Sequence, residues 1–456
     1  MLSLPRFADD IGGRVITADD PEYDQARTVF SGAIDRRPAI IVRAADAEDV
    51  ARVVALARES GLELAVRSGG HSPAGHGVSE GGIVLDLSAM RALEIDAEDR
   101  TAWAETGLTA GDYTAATAAH GLATGFGDAG SVGIGGITLS GGVGFLLRKH
   151  GMTIDNLLAA EVVTADGELV HTDAETHPDL FWALRGGGGN FGVATRLQFR
   201  LQPVDTIVGG MLFLPATAGV IEAFIAAAEA APDELSTIAN VMPAPPLPFL
   251  APEHHGRTVV MAMLVHAGDL DAGERALAPF RALATPLADM VRPMPYAEMY
   301  EPADEDYRPI FAGHALFTDS VDRATAETIL DGLERSTAPM AVTQLRVLGG
   351  AMARVPAETT AFAHRDRRVM TNVATMFANP EERAVHEAWV AELAGELGGG
   401  DPAAYVGFLG DEGEARVRAA YPGATWERLR AIKASYDPDN VFRLNQNIPP
   451  SETVAV

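Results

Sequence analysis

The residues that most directly suggest chemistry stand in one stretch, Val66-Arg67-Ser68-Gly69-Gly70-His71-Ser72-Pro73-Ala74-Gly75-His76-Gly77. Paired glycines lack Cβ atoms, so this backbone turns sharply and lets a ligand approach closely. Successive N–H groups in such a turn form a concavity suited to an anion such as a pyrophosphate. His71 at the tip would then meet a bound cofactor. A hairpin-like turn carrying a solvated histidine is the alternative, and this stretch alone leaves both open. A second stretch, residues 125–144, is denser still in glycine. That density predicts neither a stable helix nor an ordinary strand. Val132, Ile134, Ile137, Leu139 and Val143 make it too apolar for a flexible linker. Backbone packed on something large and flat is the favoured reading, and a buried crossover between tight elements is the alternative. A third stretch, residues 186–192, carries G-x-G-x-x-G at Gly187, Gly189 and Gly192. In a Rossmann fold that motif follows a strand and opens a helix. Here a helix precedes and a strand follows, so only close approach of the backbone to a ligand is kept.

Local signals place these stretches on elements. Strands are expected at 62–66 and 83–87, on either side of the first loop. Asp46, Glu48 and Asp49 open a helix whose stripe is Val50, Val53, Val54, Leu56 and Ala57, and Gly61 ends it. Thr109 caps a helix over 110–120 that stops at Gly121. Strand 156–164 turns at Asp166-Gly167 and returns. A short helix at 178–184 and a strand at 193–201 flank the third glycine stretch. Pro203 marks a change of texture. From 205 to 403 glycine clusters fade, and helices such as 220–231 and 324–333 alternate with strands such as 259–265, 344–348 and 373–377. His254-His255 reads as a surface loop, since no carboxylate stands at metal-ligand spacing. Tyr296, Tyr300 and Tyr307, in a helix and its exit, are core or pocket wall. A strand at 404–409 carries Tyr405 on one face, and helices follow at 412–421 and 425–434. The polar set Asn445-Gln446-Asn447 then lies close to the terminus.

Composition narrows the class. The chain has 456 residues, 47% hydrophobic and 21% charged, which suits a globular protein with a large core. Its formal net charge is −28, from 35 basic and 63 acidic residues, which argues against nucleic acid or an anionic membrane as partner. There is no cysteine, so disulfides, thiolate nucleophiles and cysteine-bound metals are excluded. The first ten residues do not read as a secretory signal. No apolar run approaches the ~18 residues of a membrane-spanning helix. The expectation is a soluble, cytoplasmic protein, a monomer or homodimer, with no metal.

Taken together the motifs resemble those of FAD-linked oxidases of the vanillyl-alcohol oxidase superfamily, in the berberine bridge enzyme-like branch. Arg67-Ser68-Gly69-Gly70-His71 resembles the flavin-attachment loop. Val132-Gly133-Ile134-Gly135-Gly136 through Gly141-Gly142-Val143-Gly144, then residues 149–156, resemble the second flavin loop. Residues 181–193 resemble the adenine-side segment, and 436–450 the C-terminal signature. The four lie in the expected order from about residue 15 onward.

The resemblance implies an α+β fold. A PCMH-type FAD-binding domain is formed by both chain ends, 1–204 and 404–456, and a substrate domain, 205–403, has an antiparallel sheet backed by helices. It implies FAD bonded covalently through His71. The cofactor set it carries over is Arg67, Ser68, Gly69, Gly70, His71, Ser72, His76, Ala129, Gly130, Ser131, Val132, Gly135, Gly136, Gly141, Gly142, Gly144, Asn190, Gly192, Val193, Asn445 and Asn447. Ala129 stands where many relatives attach the flavin a second time through cysteine, so His71 is left as the single link, as in the singly linked bacterial members. Val132 falls where relatives control oxygen access, and its size leans towards oxidase behaviour. Tyr405 matches the tyrosine of the family's Tyr-x-Asn pattern, a base on a substrate hydroxyl, but Gly407 replaces the asparagine. His364 is carried over as a second acid/base candidate or a pocket wall.

The implied activity is oxidation of a small organic alcohol or amine, with secondary metabolites among the candidates, by hydride transfer to the flavin. Molecular oxygen serves as acceptor and gives hydrogen peroxide. The alternatives are a flavin dehydrogenase with another acceptor and a non-redox member of the fold.

Overall fold

The computed structural model describes residues 4–300 and 307–452. The N-terminal part opens with a four-stranded sheet in the spatial order Arg14–Ile16, Ile40–Arg43, Ile83–Asp86, Leu64–Arg67. Leu64–Arg67 and Ile40–Arg43 both run parallel to Ile83–Asp86 between them. The helix Ala47–Ser60 crosses over between two of these strands. Its Asp46 side chain accepts from the Asp49 amide, and Gly61 takes the left-handed conformation at its end (φ 69°), as the local signals required. The loop after Arg67 is therefore not a hairpin turn. It leaves the C-terminal end of the three parallel strands of this sheet, where open α/β sheets place their ligands.

A five-stranded antiparallel sheet stands beside it, ordered Leu93–Asp96, Thr101–Glu105, Val193–Arg200, Leu157–Val163, Leu169–Asp173. Behind it Tyr113, Phe126 and Phe199 pack edge to face, with centroids 5.0 to 5.6 Å apart. This aromatic knot fixes where the second glycine stretch begins.

The third sheet is an eight-stranded antiparallel one built between Thr206 and Phe377. Its order is Ala288–Asp289, Thr206–Pro215, Thr258–His266, Leu235–Pro243, Met340–Val347, Val369–Phe377, Ile310–Thr318, with Arg292–Pro295 also pairing to Thr206–Pro215. Helices Ala218–Ala230, Leu270–Arg281, Arg323–Arg335 and Arg383–Gly398 cover one face. The other face looks towards the glycine loops. Among the described residues no helix is long and apolar enough to cross a membrane.

Two expectations are corrected. The second glycine stretch contains a helix, Ile134–Ser140, although glycine disfavours one by about 1 kcal/mol per residue. Packing overrides propensity: Ile134 and Leu139 are buried, and a Cβ on Gly135 would stand 3.0 Å from that of Thr106. Residues 404–409 form no strand. They hold a single 3₁₀ turn, Val406–Phe408, for a reason that lies in Tyr405 and Gly407.

The C-terminal segment is pinned by a fully buried lysine. Lys433 Nζ donates to Asp437 Oδ2 (2.5 Å), Asn190 O (2.7 Å) and Phe442 O (3.0 Å). Asp437 in turn accepts from the amides of Val441 and Phe442. Lys433→Met leaves Asp437 buried without a counter-charge, so we expect a loss of about 3–5 kcal/mol, read from the urea midpoint.

Candidate functional site

A cavity of about 2310 Å³ lies between the glycine loops and the open face of the large sheet. Drug-sized sites occupy ~300–1,000 Å³, so there is room for a large cofactor together with a second molecule. Its floor is bare backbone. The loops at Gly69 and Gly133 touch, and a Cβ on either glycine would run into the other's main chain. Cβ atoms at Gly136 and Gly189 would meet nothing within 4 Å, so those backbones lie open. The amides of Gly69, Gly70, His71 and Ser72 find no backbone acceptor among the described residues. Ser68 Oγ ties the loop to the second sheet by donating to Thr106 O (2.5 Å).

His71 lines the cavity, stacked on Phe30 with ring centroids 4.2 Å apart and planes inclined by 20°. Burial pulls its imidazole down to about 4, against a smaller opposing pull from the Ser131 backbone. The ring is neutral at pH 7, and a neutral imidazole has a free lone pair. The stack on Phe30 and the partial burial distinguish this ring from a turn histidine free in solvent. His76 also lines the cavity and is lowered to about 4, by burial and then by Arg36, with Asp411 opposing.

The cavity brings together most of the residues singled out from the sequence: Arg67 through Ser72, His76, Ala129 through Val132, Gly135, Gly136, Asn190, Gly192, Val193, Asn445 and Tyr405. Two of these spend their side chains elsewhere. Arg67 donates to Asp86 Oδ2 (2.9 Å), Ala26 O (2.6 Å) and Thr28 O (3.2 Å), so it clamps the foot of the loop. Asn190 donates to Gly187 O and Gln446 O and accepts from Ile448 N, which leaves its amide group fully engaged.

Gly141, Gly142, Gly144, Asn447 and His364 do not line the cavity. Gly144 is needed because a Cβ there would strike Phe126 O. Asn447 Oδ1 is buried without a hydrogen-bond partner among the described residues. His364 faces a separate hollow of about 360 Å³ beside Arg367 and Asp401. The next residue dictates this. Arg365 is anchored on both oxygens of Asp155, at 2.8 Å each, and turns the chain so that His364 packs against Phe317 and Phe362. The acid/base assignment for His364 is thereby withdrawn.

Tyr405 sits in a slot of glycines. Its hydroxyl accepts from Gly142 N (2.9 Å), and a Cβ on Gly141 would stand 3.1 Å from its ring. On the other side, a Cβ on Gly407 would stand 2.8–2.9 Å from ring and hydroxyl atoms. The absence of a side chain at 407 is thus the space the tyrosine occupies. Burial pushes the phenol up to about 12, which opposes a resting base and leaves a protonated hydroxyl at neutral pH.

Other residues at the cavity carried no readable signal. Arg346, 4% exposed, pairs with Asp128 (2.6 Å) and donates through Nε to Gln344 (2.9 Å). Gln344 donates to Asn240 (2.8 Å). His314 Nδ1 meets Glu412 (3.0 Å), which also holds Arg416 (3.0 Å). Of the three tyrosines expected as core or pocket wall, Tyr296 and Tyr300 are core, with hydroxyls 3.1 Å apart and that of Tyr300 donating to Gly127 O, while the half-exposed Tyr307 lines the cavity. Met261 and Met263, two positions apart on the strand Thr258–His266, share one side of the sheet and both line the cavity.

A bare glycine floor with free amides, a neutral histidine at the loop tip and a cavity larger than one substrate needs together fit FAD. The sequence model of the FAD binding domain matches residues 38–173, and that described as "Berberine and berberine like" matches 404–449. The chain is 32% identical over 467 residues to (R)-6-hydroxynicotine oxidase of Paenarthrobacter nicotinovorans, covering 96% of this chain and 97% of that protein. The crystal structure of 6-hydroxy-D-nicotine oxidase from Arthrobacter nicotinovorans superposes with a TM-score of 0.88 at 28% identity, over 99% of this chain and 100% of that one. Glucooligosaccharide oxidase from Acremonium strictum, described with a 6-S-cysteinyl, 8α-N1-histidyl FAD, has the same fold (TM-score 0.86, 23% identity, 97% and 98% covered). The fold is that of the PCMH-type FAD-binding oxidases, and the chain belongs to the berberine bridge enzyme-like family of FAD-linked oxidoreductases.

Proposed function

We propose that this FAD-dependent oxidase acts on a small organic alcohol or amine, with FAD covalently held by His71 alone and molecular oxygen as the final acceptor. In this reading residues 1–204 and 404–456 carry the cofactor and 205–403 carry the substrate. FAD, when bound, takes two electrons from the carbon bearing the hydroxyl or amino group and passes them to oxygen, giving hydrogen peroxide.

The chain's own residues have simpler tasks. The amides of Gly69 to Ser72 receive the cofactor's anionic groups, and the open backbones at Gly136 and Gly189 let it lie close. His71 supplies the tether, and Ala129, with no cysteine in the chain, supplies none. Tyr405, protonated and oriented by Gly142 N, hydrogen-bonds the heteroatom of the substrate. The observation that carries the reading is the neutral His71, stacked on Phe30 at the tip of the glycine loop and opening on the cavity.

The purified protein should be yellow, and turnover under air should release one peroxide per oxygen consumed. Turnover with an artificial acceptor but no peroxide would favour the dehydrogenase alternative, and a colourless protein would overturn the redox reading.

A further inference from the structure

The open face of the large sheet has a pattern that reaches past the assignment of an oxidase. Along one edge Met211 and Met263 oppose each other across neighbouring strands, Met261 stands two positions along, Met294 pairs with Ile207 four positions further down the same edge, and all four line the cavity. From Met261 a row of directly opposed residues runs inward across the sheet through Asn240, Gln344 and Asn372. A methionine bank followed by a row of amides is an apolar bed with a polar end.

The charges carried by this face and the rim beside it are matched, while Arg36, Arg308 and Asp411, which also line the cavity, have no ion-pair partner among the described residues and stand partly or fully exposed to water. Arg346 is paired with Asp128, and Glu412 with Arg416 and His314. At the rim Arg292 pairs with Glu298 (2.6 Å) and Arg383 with Glu387 (3.2 Å). A charged ligand group buried here would lose its hydration without gaining an unmatched counter-charge, a net cost. The amides are mostly matched as well. Gln344 donates to Asn240, and Asn240 donates to Met261 O (3.2 Å). Asn372, partly exposed into the cavity, makes no side-chain hydrogen bond among the described residues. Methionine is unbranched and polarizable, so the bank can mould itself to flat apolar bodies of different outline. It offers no hydrogen bonds to a sugar.

Building on the oxidase reading, we propose that the substrate is an uncharged, largely apolar alcohol, its body on Met211, Met261, Met263 and Met294 and its hydroxyl hydrogen-bonded to Asn372 as well as to Tyr405. The amine and sugar classes are thereby set aside for this chain.

Isothermal titration calorimetry on the purified holoenzyme tests this with four probes: 2-naphthalenemethanol, its ammonium analogue 2-naphthylmethylammonium, naphthalene and cellobiose. The alcohol should bind roughly 10-fold or more tightly than the ammonium analogue or cellobiose, given the cost of burying an unmatched charge or an unpaired polar group. Asn372→Ala should weaken the alcohol roughly 3- to 10-fold, the scale of one net hydrogen bond, and leave naphthalene unchanged, which also certifies the fold of the variant. Met263→Gln should weaken alcohol and naphthalene alike, and Met263→Leu should preserve both. Equal or tighter binding of the ammonium or the sugar overturns the proposal, as does an Asn372→Ala variant that holds the alcohol normally. Calorimetry needs no flavin chemistry, so a yellow, peroxide-forming protein that rejects the alcohol loses only this inference. A colourless protein that binds it loses only the redox reading.

Discussion

His71→Ala is expected to move all acid-stable flavin from the protein pellet to the supernatant, whereas the wild-type pellet stays yellow. The argument rests on three features of one side chain. The imidazole is stacked on Phe30, so its orientation is fixed. It opens on the cavity floor beside free amides. Burial also keeps it neutral down to about pH 4. With no cysteine in the chain, a second attachment of the cysteinyl kind is not available. A free FAD held only by the glycine cradle is less well placed, and misplacement by about 1 Å can cost up to roughly 100-fold in turnover. The pH dependence of attachment has a definite sign. A neutral imidazole is the nucleophile, so its active fraction is complete above the folded pKa and is lost as pH falls through it. Apoprotein from riboflavin-limited cells, incubated with FAD, should attach flavin at a rate that is flat from pH 5 to 8 as far as this group is concerned, and that falls near pH 4. A half-maximum near 6.5, the ordinary value for a solvated histidine, would deny the buried geometry. Yellow pellets from His71→Ala would refute the tether itself.

What the sequence made legible was mostly local backbone demand. The caps at Asp46 and Thr109 and the turn glycines Gly61 and Gly167 follow from hydrogen bonds and φ angles settled within a few residues. The glycine loops were legible for the same reason, since few other sequences permit such close approach. The helix at Ile134–Ser140 was not, because buried contacts with Thr106 and the sheets outweigh glycine's poor propensity. Side-chain partners were the least legible part. Arg346 and Asp128 meet across 218 positions, and Lys433 reaches Asn190 across 243, and neither separation leaves a trace in residue spacing. Residue type also overstated some roles. Arg67 and Asn190 looked like ligand contacts, yet their polar atoms are engaged by Asp86 and by the C-terminal segment. His364 was misassigned because the pull of its neighbour Arg365 towards Asp155, 210 positions away, turns it out of the cavity.

Gly407→Asn, which restores the family's Tyr-x-Asn pattern, is expected to lower activity rather than raise it. If the asparagine amide were simply missing, its return would help, and Gly407→Ala would be neutral. The structure reverses both expectations. A Cβ at 407 would lie 2.8 Å from Cε1 and Cζ of Tyr405, so the first carbon of any side chain already collides. Tyr405 has no room to yield, because Gly141 and Met152 close its far side and Phe362 and Phe408 pack edge-on at 6.1 and 5.3 Å. Relief requires the ring to leave the slot and give up its hydrogen bond with Gly142 N. Overpacking of this kind costs about 1–3 kcal/mol. Losing that bond costs about 0.5–1.5 kcal/mol more. Gly407→Ala and Gly407→Asn should therefore both destabilise the fold and cut turnover by roughly 10- to 100-fold, the price of moving a substrate-orienting hydroxyl by about 1 Å. A double-mutant cycle separates this steric account from a general effect on the turn. Tyr405→Phe keeps the colliding carbons, so Gly407→Ala should cost nearly its full stability penalty in that background. Tyr405→Leu removes them, so Gly407→Ala should add little there, and the two changes should be strongly non-additive. Equal penalties for Gly407→Ala with leucine and with tyrosine at 405 would show that the slot does not set the residue at 407.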